Sequence, residues 1–283
     1  MKLKYSIAPF VLLTLTGCAS LVDQASQRMA ANLSTAMLNH DDPQTVQQAM
    51  PAYLLLLDSL AEGDPDNTGT LLSASKLYAS YASAFVDEPQ RSRRLARRAL
   101  DYAERALCLE APELCDIREL RLDDLQAHLA ALDANLQPTL YRFATAWAAW
   151  IQANRGDWNA IAEIPRLSAV FNHCLDVDET HEQGGAHLYL GVLNSQLPAA
   201  VGGKPEVGKQ HFERAILISE GKNLMAKVLY AEHYARLVFD QPLHDQLLKE
   251  VLDDNPGHEG LVLSNVLARQ RAQVLLQESN DFF

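Results

Sequence analysis

Apolar residues recur along the chain at three- and four-residue spacing, interrupted by short breaks rich in Pro, Gly and Asp. That period is helical. No run of Val, Ile or Thr alternates with polar residues as a half-buried strand requires. To within about 2–4 residues at each end, the pattern predicts helices over Leu21–Asn39, Pro43–Ala61, Thr70–Val86 and from "DEPQ" to Leu109. Further helices are expected over Glu113–Asp133, Pro138–Ala153, Trp158–Leu175, Glu182–Leu197, Pro205–Ser219, Leu224–Phe239, Pro242–Leu252 and Glu259–Glu278. Asp42 before Pro43 reads as an N-cap followed by a first-turn proline. The expectation is an all-α fold: an array of antiparallel helical hairpins.

Small residues hint at repeats. The tetratricopeptide (TPR) hairpin places small residues at positions eight, twenty and twenty-seven, where its helices cross closely, and a large one at twenty-four. With Ala148 at position eight, Trp147, Ile151, Ala160 and Ile164 fall into register. With Gly191 there, Leu190, Gly208, Phe212 and Ala215 follow, but the intervening turn is five residues too long. A third hairpin, around Ala231, Tyr234, Leu243 and Leu247, has the right length, and Glu250 breaks its small-residue rule. These are degenerate TPR-like repeats, with a non-repeating bundle as the alternative. In the last helix Leu261, Asn265, Ala268, Ala272 and Leu275 share a face suited to capping the array.

The first seventeen residues stand apart. Lys2 and Lys4 precede the apolar stretch "IAPFVLLTL", which has the length of a signal core and is too short to span a bilayer. It runs into "LTGC", which looks like a bacterial lipobox with Cys18 as the lipidation site. Ala19, where an Asp would favour inner-membrane retention, leans towards the outer membrane. The division expected is a signal peptide over 1–17 and one all-α domain over 18–283. Within that domain, 18–68 would hold N-terminal helices and 69–283 the repeat array. Without Lys2 and Lys4, 22 basic residues face 36 acidic ones. That balance argues against nucleic acid, whose phosphates need a basic face.

In an oxidising compartment, Cys108 and Cys115 of "CLEAPELC" either close a small disulfide loop or remain thiols. "LPAAVGGKPEVGKQHF" suggests a phosphate loop and fails as one. Pro198 stands where that motif needs Gly, and Pro205 where it needs Ser or Thr. Gly202 and Gly203 instead mark a long turn at one rim, suited to a partner contact. "HCLDVDETHEQGGAH" is rich in ligand types, yet His181 and His187 are six apart and the segment reads as a polar turn, so no metal site is assigned. In "RSRRLARR", Arg91, Arg94 and Arg98 share a helical face that is either solvated or meets an acidic partner. Tyr141, Trp147 and Trp150 lie on one Ala-rich helix, as core or as the aromatic wall of a cavity. Asn265 on an apolar face must satisfy its amide with carbonyls or a ligand. No catalytic constellation and no cofactor motif stands out.

Several blocks resemble the T component of tripartite ATP-independent periplasmic (TRAP) transporters. They are "LYRFATAWAAWI", "IAEIPRLSAVFNHCLDVDE", "GGAHLYLGVLNSQLPAAVGGKPEVGKQHFERAI", "LYAEHYARLVFD" and "LSNVLARQRAQVLLQESNDFF". The resemblance is strongest from Tyr141 to Phe283, and their order and spacing are more specific than any one motif. It implies a periplasmic TPR-like lipoprotein, not an enzyme, that pairs with a TRAP-type substrate-binding protein. It also implies a homotrimer with a pore, and ligand-sized cavities for a small organic or hydrophobic solute. The rival reading from the residues is an outer-membrane scaffold for envelope or pilus assembly.

Overall fold

The structure, a computed structural model, describes residues 32–201 and 203–283. Cys18, the leader, the start of the first predicted helix and Gly202 lie outside the described residues. In chain order the helices are α1 (residues 32–38), α2 (Pro43–Gly63), α3 (Thr68–Ala84), α4 (Pro89–Glu110), α5 (Leu122–Ala130), α6 (Gln137–Ala153) and α7 (Trp158–Ile161). They continue as α8 (Ile164–Asp178), α9 (Gly185–Asn194), α10 (Pro205–Ile218), α11 (Leu224–Leu229), α12 (Gln241–Asp253), α13 (Val262–Gln277) and α14 (Ser279–Phe282). Among the described residues the protein is all-helical, with no strand. None of these helices is long and apolar enough to cross a membrane.

Proline and acidic caps start the helices where the sequence places them. Asp42 accepts from the Gln44 amide ahead of α2, and Glu88 accepts from the Gln90 and Arg91 amides ahead of α4. Asp240 accepts from the Leu243 amide ahead of α12. Each cap satisfies amides that have no partner inside the helix, and the following proline lacks the N–H that would need one.

Small residues then set how the helices meet. On α4, Ala96, Ala99, Leu100, Ala103, Ala106 and Leu107 are all fully buried. They face α3, which offers Leu71, Ala74, Ser75, Tyr78 and Ala82, and α6, which offers Leu140, Phe143, Ala144 and Trp147. Asp58 on α2 ties this layer together. It accepts from the hydroxyls of Tyr78 and Tyr102, each at 2.7 Å, and pairs with Arg98 at 3.0 Å. A second core cluster joins α10 to α13 through Phe212, Leu224, Val228, Leu248, Ala268, Ala272 and Leu275. Of the face predicted on the last helix, Asn265, Ala268, Ala272 and Leu275 are fully buried. α13 also reaches back to α2: Leu263 joins the N-terminal core, and the Gly260 amide donates to Asn39 Oδ1 at 2.6 Å.

Four predicted helices differ from those observed. The 113–133 helix is shortened to α5, because a disulfide joins Cys108 to Cys115 and Leu114 and Ile117 turn into the core. The 158–175 helix breaks between α7 and α8. Pro165, at the first turn of α8, has no amide to donate and its ring would crowd the Ile161 carbonyl of a continuous helix. Helix α9 starts at Gly185 rather than Glu182, since Glu182, Gln183 and Gly184 all have positive φ. The helix from Leu224 widens at Tyr230–Ala235 into a π-helical turn.

The α9–α10 hairpin contains the long turn. Gly203 donates to the Pro198 carbonyl at 3.1 Å, and Lys204 donates to the Asn194 carbonyl at 3.2 Å. A Cβ on Gly203 would lie 1.7 Å from the Leu197 carbonyl oxygen, so only glycine fits. Gly191 meets the buried Phe212 ring, which a Cβ would approach to 2.7 Å. Gly191→Ala is expected to cost about 1–3 kcal/mol through overpacking, despite alanine's higher helix propensity. Urea unfolding followed by circular dichroism measures it, and an unchanged midpoint would show that Phe212 moves freely.

Candidate functional site

Helix α3 has two working faces. Leu71, Ala74, Ser75, Tyr78 and Ala82 pack inward, while Ser73, Lys76, Ser80 and Ser83 line a cavity of about 470 Å³. That volume lies in the range of about 300–1,000 Å³ usual for small-molecule sites. Across the cavity stand Val46, Met50, Tyr53 and Leu57 of α2, Tyr141, Arg142 and Thr145 of α6, and Leu263 and Leu267 of α13. The walls are largely apolar, and a charged cluster occupies one place in them.

That cluster joins three elements. Glu182 Oε1, from the loop before α9, is 2.7 Å from Arg142 Nη2 and 3.5 Å from Lys76 Nζ. Burial raises the Glu182 carboxyl, but the Lys76 and Arg142 charges outweigh it and leave the group below its usual range. Burial and then the neighbouring Arg142 pull the Lys76 ammonium down. Glu182 has φ 48° and ψ 41°, and Gln183 has φ 59°. A left-handed conformation costs a non-glycine residue roughly 1–2 kcal/mol. The loop is therefore held in place by its contacts.

Tyr141 lines the cavity and anchors that loop. Its ring stands edge-on to His181 at 4.8 Å, and its hydroxyl lies against Gly185, where a Cβ would come within 2.0 Å of it. Burial holds the Tyr141 hydroxyl well above its usual range. The other aromatic candidates do not join Tyr141. Trp147 is fully buried and donates to Glu163 Oε2 at 2.6 Å. Trp150 lies under the Arg118 guanidinium, 4.5 Å from the ring centre. Arg118 in turn pairs with Glu163 at 2.8 Å and Glu104 at 2.9 Å. The two tryptophans thus belong to a structural ion-pair cluster, and neither lines the cavity. Asn265 is also engaged by the backbone: it accepts from the Leu224 amide at 3.0 Å and donates to the Lys222 and Pro256 carbonyls.

Residues 39–283 match the family model TAtT, the TRAP transporter T-component. The chain belongs to the TRAP transporter T-component family. Membership associates this T-component with TRAP transporters, as an accessory part rather than an enzyme. A protein of Treponema pallidum (strain Nichols), named only as uncharacterized, is 23% identical over 278 residues. The match covers 89% of this chain and 84% of that protein.

The arginine face of the T-component is partly engaged by its own fold. Arg91 donates to the Tyr81 hydroxyl at 3.2 Å, Arg98 pairs with Asp58, and Arg94 is exposed. Lys76, Arg142 and Glu182 were not singled out as a site from the sequence. Arg142 is the single cation on the Ala- and aromatic-rich helix α6, and that contrast is the signal the sequence offers. The fold keeps Glu179 beside His187 but turns His181 onto Tyr141 and buries Cys174. Among the described residues no group of three or more His, Cys, Asp or Glu side chains converges as a metal set. Cys174 is a buried free thiol pushed up to about 12 by burial.

His187 meets His211 instead, with their Nδ1 atoms 2.8 Å apart, and its Nε2 lies 3.3 Å from Glu179. A carboxylate only accepts, so a neutral His187 carries its proton on Nε2 and its bare Nδ1 accepts from His211 Nδ1. Burial and then His187 lower the His211 imidazole to about 4. Unfolded, His211 titrates at its ordinary 6.5. Between those values the unfolded chain binds a proton that the folded one refuses, so stability falls as pH drops from 6.5 towards 4 and this contribution levels off below. His211→Gln is expected to flatten that part of the stability profile relative to the parent, measured as urea midpoints from pH 7 to 4. Asn265→Leu is expected to cost about 1–3 kcal/mol by stranding the buried Leu224 amide. Thermal melts read the loss, and equal stability would return Asn265 to the ligand candidates.

Proposed function

We propose that this chain is a periplasmic lipoprotein, anchored through Cys18 in the outer membrane, that docks a TRAP-type substrate-binding protein and holds a small organic or hydrophobic solute. The observation that carries the reading is the family match over residues 39–283, and the cavity between α2, α3, α6 and α13 supports the solute. Its action is binding and positioning, with no covalent step. The partner contacts are Arg91 and Arg94 together with the turn at Gly202 and Gly203. Beside that turn Leu197, Val207 and Val238 expose apolar surface. Association of three copies and TPR-like packing of the hairpins belong to the same proposal.

Co-purification from the periplasm, with mass spectrometry of bound proteins and small molecules, tests it. A TRAP-type substrate-binding protein is expected in the eluate. An envelope-assembly factor recovered without any TRAP component would instead favour the scaffold reading. Deleting residues 198–202 is expected to leave the helical signal and melting temperature nearly unchanged, because surface-loop length costs little. The same deletion should reduce capture of the binding protein, and undiminished capture would place the contact elsewhere.

A further inference from the structure

We infer that the cavity takes a monocarboxylate with an extended apolar tail, whose carboxylate bridges Lys76 and Arg142 in place of Glu182. The inference rests on the reading of the cavity as a solute site and names the solute's chemistry. Two cations from different helices converge on a single Glu182 oxygen. One glutamate against two cations leaves a surplus positive charge at the solvent-facing edge of a largely apolar cavity, where Glu182 itself is exposed. The enclosure therefore favours an anion over a neutral or cationic guest. Arg recognises a carboxylate through its planar fork, and Lys adds a point charge.

Glu182 already shows where such a carboxylate sits, because its own side chain is one. Glu182 and Gln183 are held at positive φ, so releasing the carboxylate also releases backbone strain. His181 Nε2 is buried without a partner in the residue next to Glu182, a spare polar atom beside the rearrangement. Away from the cations the wall carries Met37, Val46, Met50, Leu57, Leu263 and Leu267, with serine hydroxyls from α3 along one side. Methionine adapts to irregular apolar shapes, which suits a flexible tail. A dicarboxylate would bring a second charge to this wall, where no cation waits for it.

The test is calorimetric titration of the mature chain carrying Cys18→Ser, which keeps detergent out of the sample. The probes are octanoate, decanoate, dodecanoate and decanol. Affinity should rise about threefold to fourfold per added methylene until the cavity is filled. Decanoate should bind about tenfold tighter than decanol, as charge-assisted hydrogen bonds to two cations allow. Arg142→Met should remove that preference and leave decanol binding intact, which also shows that the variant folds. Glu182→Gln should tighten decanoate several-fold and leave decanol unchanged, because the internal competitor has lost its charge. Equal binding of decanol and decanoate would overturn the carboxylate assignment while leaving an apolar solute site. Weaker decanoate binding by Glu182→Gln would overturn the displacement. Binding of none of the four probes would overturn the whole inference, and recovery of a TRAP-type binding protein by co-purification would still stand separately.

Discussion

Helices approach only as closely as the side chains between them permit, and through α3, α4 and α6 alanine sets that limit. Ala74, Ala82, Ala96, Ala99, Ala103 and Ala144 are buried where these helices meet. An alanine interface offers little side-chain volume, so its stability comes from dense contact over a long length. The large residues go elsewhere. Tyr78 and Tyr102 use their hydroxyls on the buried Asp58, and Phe143 and Trp147 fill the interior beside α4. With one face of α3 committed to this layer, its opposite face is left to shape the cavity.

Charge is arranged by the same logic of commitment. Asp58, Glu163 and Glu179 each hold an arginine. Asp58 and Glu163 also accept from tyrosine or tryptophan, and Glu179 lies beside His187. These are closed groups, in which each carboxylate has several donors. The Glu182 cluster is different: it is short of one negative charge, it borders open volume, and its loop is conformationally strained. Unequal satisfaction, rather than the number of charged residues, separates this cluster from the others.

The helical class and most helix starts were legible in the sequence, because the signals were local. Asp42–Pro43, Glu88–Pro89 and the three- and four-residue period depend on neighbours in the chain. The breaks at Ala162–Glu163 and after Cys115 were harder to read, since Pro165 suits either an interior kink or a first turn, and Leu114 and Ile117 leave helical register to reach the core. The site was only partly visible. Tyr141 was singled out with Trp147 and Trp150 because all three share a helix, but the helix turns Tyr141 to the cavity and the tryptophans to Arg118. Arg118 lies inside the helix expected over 113–133 but falls in the turns before α5, and Glu182 looks in the sequence like an ordinary acidic helix start. Lys76, Arg142 and Glu182 come from sequence positions far apart, and no spacing rule links them.

The bond from Gly260 to Asn39 spans 221 positions. The cavity it helps to close is lined from Ser34 to Leu267. Chain order therefore becomes an order of assembly. The α3–α4–α6 layer uses contacts between near neighbours and can form early, whereas the enclosure waits for the loop-closure entropy of nearly the whole chain to be overcome. Until α13 docks on α2, the cavity lacks the wall formed by Leu263 and Leu267. The cavity thus closes last, and it exists only in a molecule in which α13 has met α2.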